Sequence, residues 1–428
     1  MSTYASPPPD LTICLTGPLA TEPNRLCPVD LADVLREIGC THETVIAECD
    51  ALEASRRTPK SLGYRAALSA AVQQSSGRYV VTSDSFMAVD PYFLLNFWAV
   101  RERADMIVAS RFAPGGVYHT GFARRVAARA LNGLARWTLS LPYHDLTSAF
   151  RMYRRESLVE ALARSESTGY EFLVESIVQL HGLGRAIEEI PFVSRRAPAG
   201  RTNVPGGQVA WPLAASLTRL WRLRNSVFSA DYDERAFNSW IWPQRYWQRK
   251  RFEIITGFVD SPAGILDIGC GSSKIIQAFP GAIGLDILLK KLRYLLRRRA
   301  RLVQGSSFRL PFADHSFRTV ICSEVIEHIP FAEVLFDEFH RVLCPGGVLI
   351  LGTPDYGTWV WPTIEWLYAK IIPGGYAQEH ITHYTADRLR ELLQARGFRI
   401  EAERRICRAE LILKSRLGRW QEHSNVVG

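Results

Sequence analysis

Short apolar runs alternate with amphipathic stretches over two long parts of the chain. Between residues 10 and 205, apolar runs at 11–15, 44–47, 78–82, 106–109 and 186–190 predict strands. Helical spacing of apolar positions predicts helices at 29–38, 64–75, 122–139 and 172–180. This alternation predicts a parallel α/β sheet. The pattern resumes at 263, with strands expected at 265–268, 282–286, 301–304, 318–322 and 347–351 and a closing pair at 398–402 and 408–414. A basic loop with Pro and Gly (194–208), an amphipathic helix at 211–224 and an aromatic, charged connector (225–252) lie between. The expected layout is a flexible leader at 1–9, a first α/β domain at 10–205, a helical aromatic connector at 206–262, a second α/β domain at 263–418 with seven strands, and a tail at 419–428.

Composition narrows the class. Apolar residues make up 47% of 428 and aromatics 11%, enough for two real cores. The balance of 52 basic against 43 acidic residues, net +9, suits anionic small ligands or a membrane surface and does not call for nucleic acid. Eight cysteines stand apart, with no Cys-x-x-Cys pair, so neither a zinc site nor a disulfide framework is expected. The first ten residues lack the basic start and apolar core of a signal peptide. No run of about 18 apolar residues is available to span a bilayer. The expectation is a cytoplasmic protein, with peripheral contact at the inner membrane face left open by the basic helix at 288–301. Nothing in the sequence fixes an oligomeric state.

The most informative stretch is 263–286. An apolar strand carrying Asp267 runs into the turn Gly269-Cys270-Gly271, and a second strand ends on Asp286. Glycines let a ligand approach the backbone, and an acid at the end of the next strand is placed to take ribose hydroxyls. A pyrophosphate-binding fingerprint would put a third glycine where Lys274 stands. Further stations follow: Leu310-Pro-Phe before the fourth strand, Ser323-Glu324-Val-Ile-Glu-His328-Ile-Pro after it, and Cys344-Pro-Gly-Gly347 before the fifth. Over roughly 260–416 this order resembles class I S-adenosylmethionine (SAM) methyltransferases. The resemblance implies a Rossmann-like domain with a seven-stranded sheet and SAM as cofactor. It implies cofactor contacts from Asp267, Gly269, Cys270, Gly271, Asp286 and Glu324. Ser306 stands where many relatives carry an adenine-binding Asp.

SAM already carries an activated methyl, so the protein has to align the acceptor and, for a hydroxyl or amine, remove a proton. The candidates for that proton are His383, His380 and His328, taken in that order because the first two adjoin an aromatic insertion after the fifth strand. Tyr356, Trp359 and Tyr384 are the expected acceptor-side residues.

The N-terminal half carries a second resemblance. Gly77-Arg-Tyr-Val-Val-Thr-Ser-Asp84, the segment Asp145-Leu-Thr-Ser-Ala-Phe-Arg151, and Gly169-Tyr-Glu171-Phe resemble family-2 glycosyltransferases of the dolichyl- or polyprenyl-phosphate sugar synthase type, which implies a GT-A-like fold. Asp145, Arg151 and Glu171 would then be substrate-binding. The metal-binding Asp-x-Asp of such enzymes is replaced by Asp84-Ser85-Phe86, which leaves Asp84 as a remnant and no complete metal site. The whole arrangement resembles bacterial bifunctional glycosyltransferase/methyltransferases. The expected function is SAM-dependent methyl transfer to a small-molecule, sugar or lipid-linked acceptor, with the N-terminal domain as acceptor-binding element or scaffold. A working sugar transferase and a non-catalytic glycan, lipid or protein-binding module are the alternatives.

Overall fold

The computed structural model describes residues 9–17, 28–48, 63–83, 89–195, 206–298, 300–371 and 380–418. The chain divides into two compact units that meet in sequence between Asn225 and Ser226. No helix among the described residues is long and apolar enough to cross a membrane.

The first unit is built on a six-stranded sheet. Its strands are β1 (Leu11–Gly17), β2 (His42–Glu48), β3 (Tyr79–Ser83), β4 (Met106–Ser110), β5 (Arg151–Arg154) and β6 (Ile187–Pro191), in the order β2-β1-β3-β5-β4-β6. The sheet is mixed, not parallel as the alternation predicted. β5 runs antiparallel to both β3 and β4. Its Arg-Met-Tyr-Arg sequence hides the strand, because Arg151 is itself fully buried. The helices Phe93–Val100 and Arg155–Arg164 were also not anticipated. Helix Gly206–Arg224 packs in this unit: Arg219 pairs with buried Glu175, and buried Arg224 donates to the carbonyls of Leu139 and Ser140.

The second unit holds seven strands: β7 (Ile265–Ile268), β8 (Ile283–Asp286), β9 (Arg301–Gln304), β10 (Phe317–Ser323), β11 (Leu343–Pro354), β12 (Phe398–Ile406) and β13 (Glu410–Leu417). Their order is β12-β13-β11-β10-β7-β8-β9, with β13 antiparallel to its neighbours. From β7 the chain moves outward on one side through β8 and β9, then returns to build the other side from β10. Ligands of open α/β sheets bind at the carboxyl ends of strands flanking such a reversal. β7 and β10 pair in parallel there, Ile268 against Cys322. The glycines at 346 and 347 lie within β11, where pairing with β10 slips from Phe317–Leu343 to Thr319–Val348.

The connector from Ser226 onward belongs to this unit and carries two helices, Tyr232–Phe237 and Trp242–Phe258. The longer helix is fastened to the start of β13. Arg251 Nε and Nη2 donate to the two oxygens of fully buried Glu410 at 2.6 and 2.7 Å, and the Trp247 indole N–H donates to the same carboxylate. Removing one partner of a buried ion pair leaves an uncompensated charge, at a cost of about 3–5 kcal/mol. Arg251→Ala is therefore expected to lower the stability of the chain by about that amount in chemical denaturation. Glu410→Gln in the same background should return part of the loss, because it removes the stranded charge.

Candidate active site

The turn after β7 is tied to β8. Gly269 N and Cys270 N both donate to the Leu285 carbonyl, at 2.7 and 3.1 Å. Gly271 N donates to Asp286 Oδ2 at 2.8 Å, and Leu288 N to Asp286 Oδ1 at 2.7 Å. Gly269 and Gly271 have φ of 66° and 52°. A Cβ on Gly269 would come within 2.2 Å of Val325 Cγ2, and one on Gly271 within 2.5 Å of Asp233 Oδ2. Beyond any ligand, then, protein neighbours alone demand glycine at both positions. The Cys270 thiol is buried beside Asp267 and Asp286, and burial first, then those charges, push its pKa far up. The thiol packs against Gly284.

Residues not singled out from sequence complete the turn. Asp233, from the connector helix, accepts from Ser272 N and Oγ at 2.8 and 3.0 Å and pairs with Lys291 at 3.0 Å. Burial alone would raise its pKa, but Lys291 and the Ser272 donors hold it below the ordinary range. Glu234 takes Lys274, Arg298 and the Tyr294 hydroxyl.

Asp267 has no such compensation. It is buried, its Oδ2 has no hydrogen-bond partner, and its pKa is raised to about 8 by burial, with Asp286 and Asp233 adding to the effect. A carboxylate held in this way is matched by a cationic ligand. Ile287, directly after Asp286, is 65% exposed and offers an apolar face beside it. Ser306 lies past β9, where its Oγ accepts from Phe308 N at 3.3 Å, and the neighbouring Gly305 N donates to the Asp286 carbonyl at 3.2 Å.

The segment after β10 packs onto the glycine turn through Val325. Glu324 sits there with φ of 58°, its Oε2 on Arg251 at 2.9 Å and its Oε1 without a partner. Burial raises its pKa well above the usual range; Glu410 and Glu327 add to the rise and Arg251 opposes it. Glu327 is fully buried, and its Oε2 accepts from Thr353 Oγ1 at 3.1 Å. Burial lifts its pKa to about 8. The histidine-bearing segment is pinned to the same place, since Ile381 N and Thr382 N donate to the Glu327 carbonyl at 2.7 and 3.0 Å.

The three histidines gather around this point. The His328 and His380 rings lie 4.9 Å apart, and His383 stacks on Tyr356 at 4.0 Å. The Tyr356 hydroxyl meets His380 Nδ1 at 2.8 Å and donates to Glu365 at 3.1 Å. Burial first, then His328 and His383, lower the His380 pKa to about 4, so this ring is neutral and weakly basic at pH 7. Tyr384 is buried, its hydroxyl unpartnered and its pKa pushed up to about 12 by burial and by Glu327 and Cys322. Trp359 is 77% exposed. Glu327, Glu365 and Arg251 escaped the sequence reading. The signal for Glu327 was its place between Glu324 and His328; nothing local marks the other two.

A family model described as a methyltransferase domain matches residues 266–351. That match makes this part of the second unit a methyltransferase domain. Similar solved structures include a SAM-dependent methyltransferase from Methanosarcina mazei (20% identity, 39% of this chain and 97% of that one, TM-score 0.33) and magnesium protoporphyrin IX methyltransferase from Synechocystis PCC 6803 with bound SAH (17%, 41% and 87%, TM-score 0.34). Among curated proteins, polyprenol monophosphomannose synthase of Mycolicibacterium smegmatis is 30% identical over 113 residues, and an uncharacterized protein of Mycobacterium bovis is 29% identical over 139. The chain spans 43% and 48% of the length of these two relatives. The unmatched Asp267 fits SAM, a ligand with a sulfonium and an ammonium group. Around it, the methyltransferase domain presents the Asp286 carboxylate and the apolar Ile287.

In the first unit the expected substrate residues are largely engaged by the protein. Asp145 is fully buried and forms a two-point pair with Arg111, Nε–Oδ2 2.7 Å and Nη2–Oδ1 2.8 Å. Arg151 is fully buried and gives its protons to the carbonyls of Leu146, Ser148 and Leu173 and to Ser176 and Tyr153. Both side chains are thus committed to protein partners that hold the 145–151 loop. Glu171 Oε1 accepts from Thr168 N and Gly169 N, while its Oε2 is buried and unpartnered. Asp84 lies outside the described residues.

A carboxyl whose pKa rises from 3.8 to about 8 on folding binds its proton more tightly in the native chain. Its contribution to stability is complete below pH 3.8 and is lost as pH rises through 8. Asp267→Asn removes that loss. The variant should show a smaller fall in melting temperature between pH 5 and 8 than the parent, measured without SAM, and weaker SAM binding in calorimetry. Equal falls in the two proteins would refute the assignment.

Proposed function

We propose that the chain transfers a methyl group from SAM to a hydroxyl of a sugar or lipid-linked acceptor, with His383 receiving the proton. The observation that carries this reading is the anchoring of 380–384: its backbone is bonded to Glu327, two residues after Val325, which packs on the cofactor turn. SAM, when bound, supplies a methyl group already activated on sulfur. Asp286 would hold the ribose hydroxyls, Asp267 would face the cationic end and Ile287 would pack on the adenine. His383 is fixed by its stack on Tyr356, in a part of the domain that also carries the exposed Trp359. His380, weakly basic, serves position rather than proton transfer.

The relative named for polyprenol monophosphomannose synthesis supports a polyprenol-linked or glycan acceptor, with the first unit holding it. The Asp145–Arg111 pair and the buried Arg151 suit a scaffold for such an acceptor. The alternative, sugar transfer by this unit, is separated by one assay. Binding of any nucleotide sugar in the presence of Mn2+, across a donor panel, would favour it over a holding role.

Two outcomes are expected from substitutions in the second unit. Asp286→Ala should weaken SAM binding by about 1.5–3 kcal/mol, because it removes charge-assisted bonds. His383→Ala should lower turnover at least about tenfold, within the range of general-base catalysis, and leave SAM affinity unchanged. The readouts are calorimetry with SAM and transfer of labelled methyl to glycan and polyprenyl-linked acceptors. Failure to bind SAM at millimolar concentration would overturn the reading.

A further inference from the structure

The Glu327 carboxylate is fully buried, yet only its Oε2 is hydrogen-bonded; Oε1 has no hydrogen-bond partner. Two imidazoles stand beside it. His328 Nε2 lies 4.0 Å from Glu327 Oε1, and one ligand atom from each of Glu327, His328 and His380 falls within 4.8 Å of the other two. We propose that Glu327, His328 and His380 form a binding site for a divalent first-row transition cation such as Zn2+, Mn2+ or Co2+.

The donor set points to this class. Two imidazoles and one carboxylate suit such ions, whereas Mg2+ and Ca2+ favour all-oxygen sites. Bonds of about 2.0–2.2 Å in a tetrahedral site place ligand atoms roughly 3.3–3.6 Å apart, so modest inward rotation of the rings closes the present spacing.

The surroundings are organised as metal sites require. Tyr356 donates its hydroxyl proton to Glu365, so its oxygen receives Nδ1–H of His380. That fixes the tautomer and leaves Nε2 as the ligating nitrogen, the arrangement in which a second group orients a metal-bound histidine. Thr353 holds the other oxygen of Glu327. The bonds from Ile381 N and Thr382 N to the Glu327 carbonyl hold together ligands separated by some 50 residues of chain. Three protein ligands leave a coordination position for an oxygen of the substrate. The ion's use in catalysis rests on the acceptor reading above; its binding does not.

The test uses the full chain, stripped with a chelator and without SAM. Co2+ titration should raise visible d–d absorption to saturation at one ion per chain, and elemental analysis after gel filtration should find one bound Zn2+. His328→Ala and His380→Ala should each weaken binding at least tenfold. Glu365→Gln, which disturbs only the orienting group, should weaken it about 10- to 100-fold. His340→Ala, an exposed histidine elsewhere in the unit, should bind as the parent does. Calorimetry with SAM identifies variants that remain folded. Absence of stoichiometric binding by the parent, or parental affinity in both His328→Ala and His380→Ala, overturns the site. A chain that binds no ion yet binds SAM and transfers methyl loses the cation and keeps the proposed function. One that binds the ion but not SAM does the reverse.

Discussion

Burying a carboxylate costs more than almost anything else a fold does, and this unit buries several at one edge of one sheet. Each is compensated differently. Glu410 has Arg251 and Trp247. Asp233, only partly buried, has Lys291 and the Ser272 donors. Asp286 rests on two backbone N–H groups. Asp267 and Glu327 each keep an oxygen with no hydrogen-bond partner. The chemistry of the site follows from that uneven distribution. Glu410, matched by a guanidinium and an indole donor, serves architecture; Asp286, held only by backbone N–H groups, can still meet a ligand.

The connector is part of this arrangement rather than a tether. Asp233 caps the cofactor turn, and Arg251 links Glu324 to Glu410, so two groups that organise the site come from residues before 263. The glycines have a similar double meaning. Gly269 is demanded by Val325 and Gly271 by Asp233, which couples the turn after β7 to both the β10 edge and the connector.

Much of the sheet was legible in the chain because its strands are apolar runs. β7, β10 and β11 are almost wholly buried, and such runs are hard to conceal. β5 was not legible, since a strand whose first residue is a buried arginine reads as polar surface. The glycine turn between β7 and β8 was legible too, as a local motif from Asp267 to Asp286. The partners of those residues were not. Arg251 is 159 positions from Glu410, and His380 is 52 from His328; pairing at such range is decided by topology, which local spacing does not encode. Nor does local spacing reveal that burial beside two other rings makes His380 a poor proton acceptor.

The placement of β13 has a consequence for synthesis on the ribosome. The last strand of the unit is inserted between β11 and β12, and it carries Glu410. Until it emerges, one edge of β11 has no strand beside it and Arg251 lacks its carboxylate partner. An unpaired, strongly apolar edge is a template for association with other chains. The nascent second unit therefore passes through a sticky stage that ends only near residue 417, when the final strand fills the gap. Slow elongation over its last stretch would lengthen that exposure, and a chaperone able to cover a bare strand edge would shorten it.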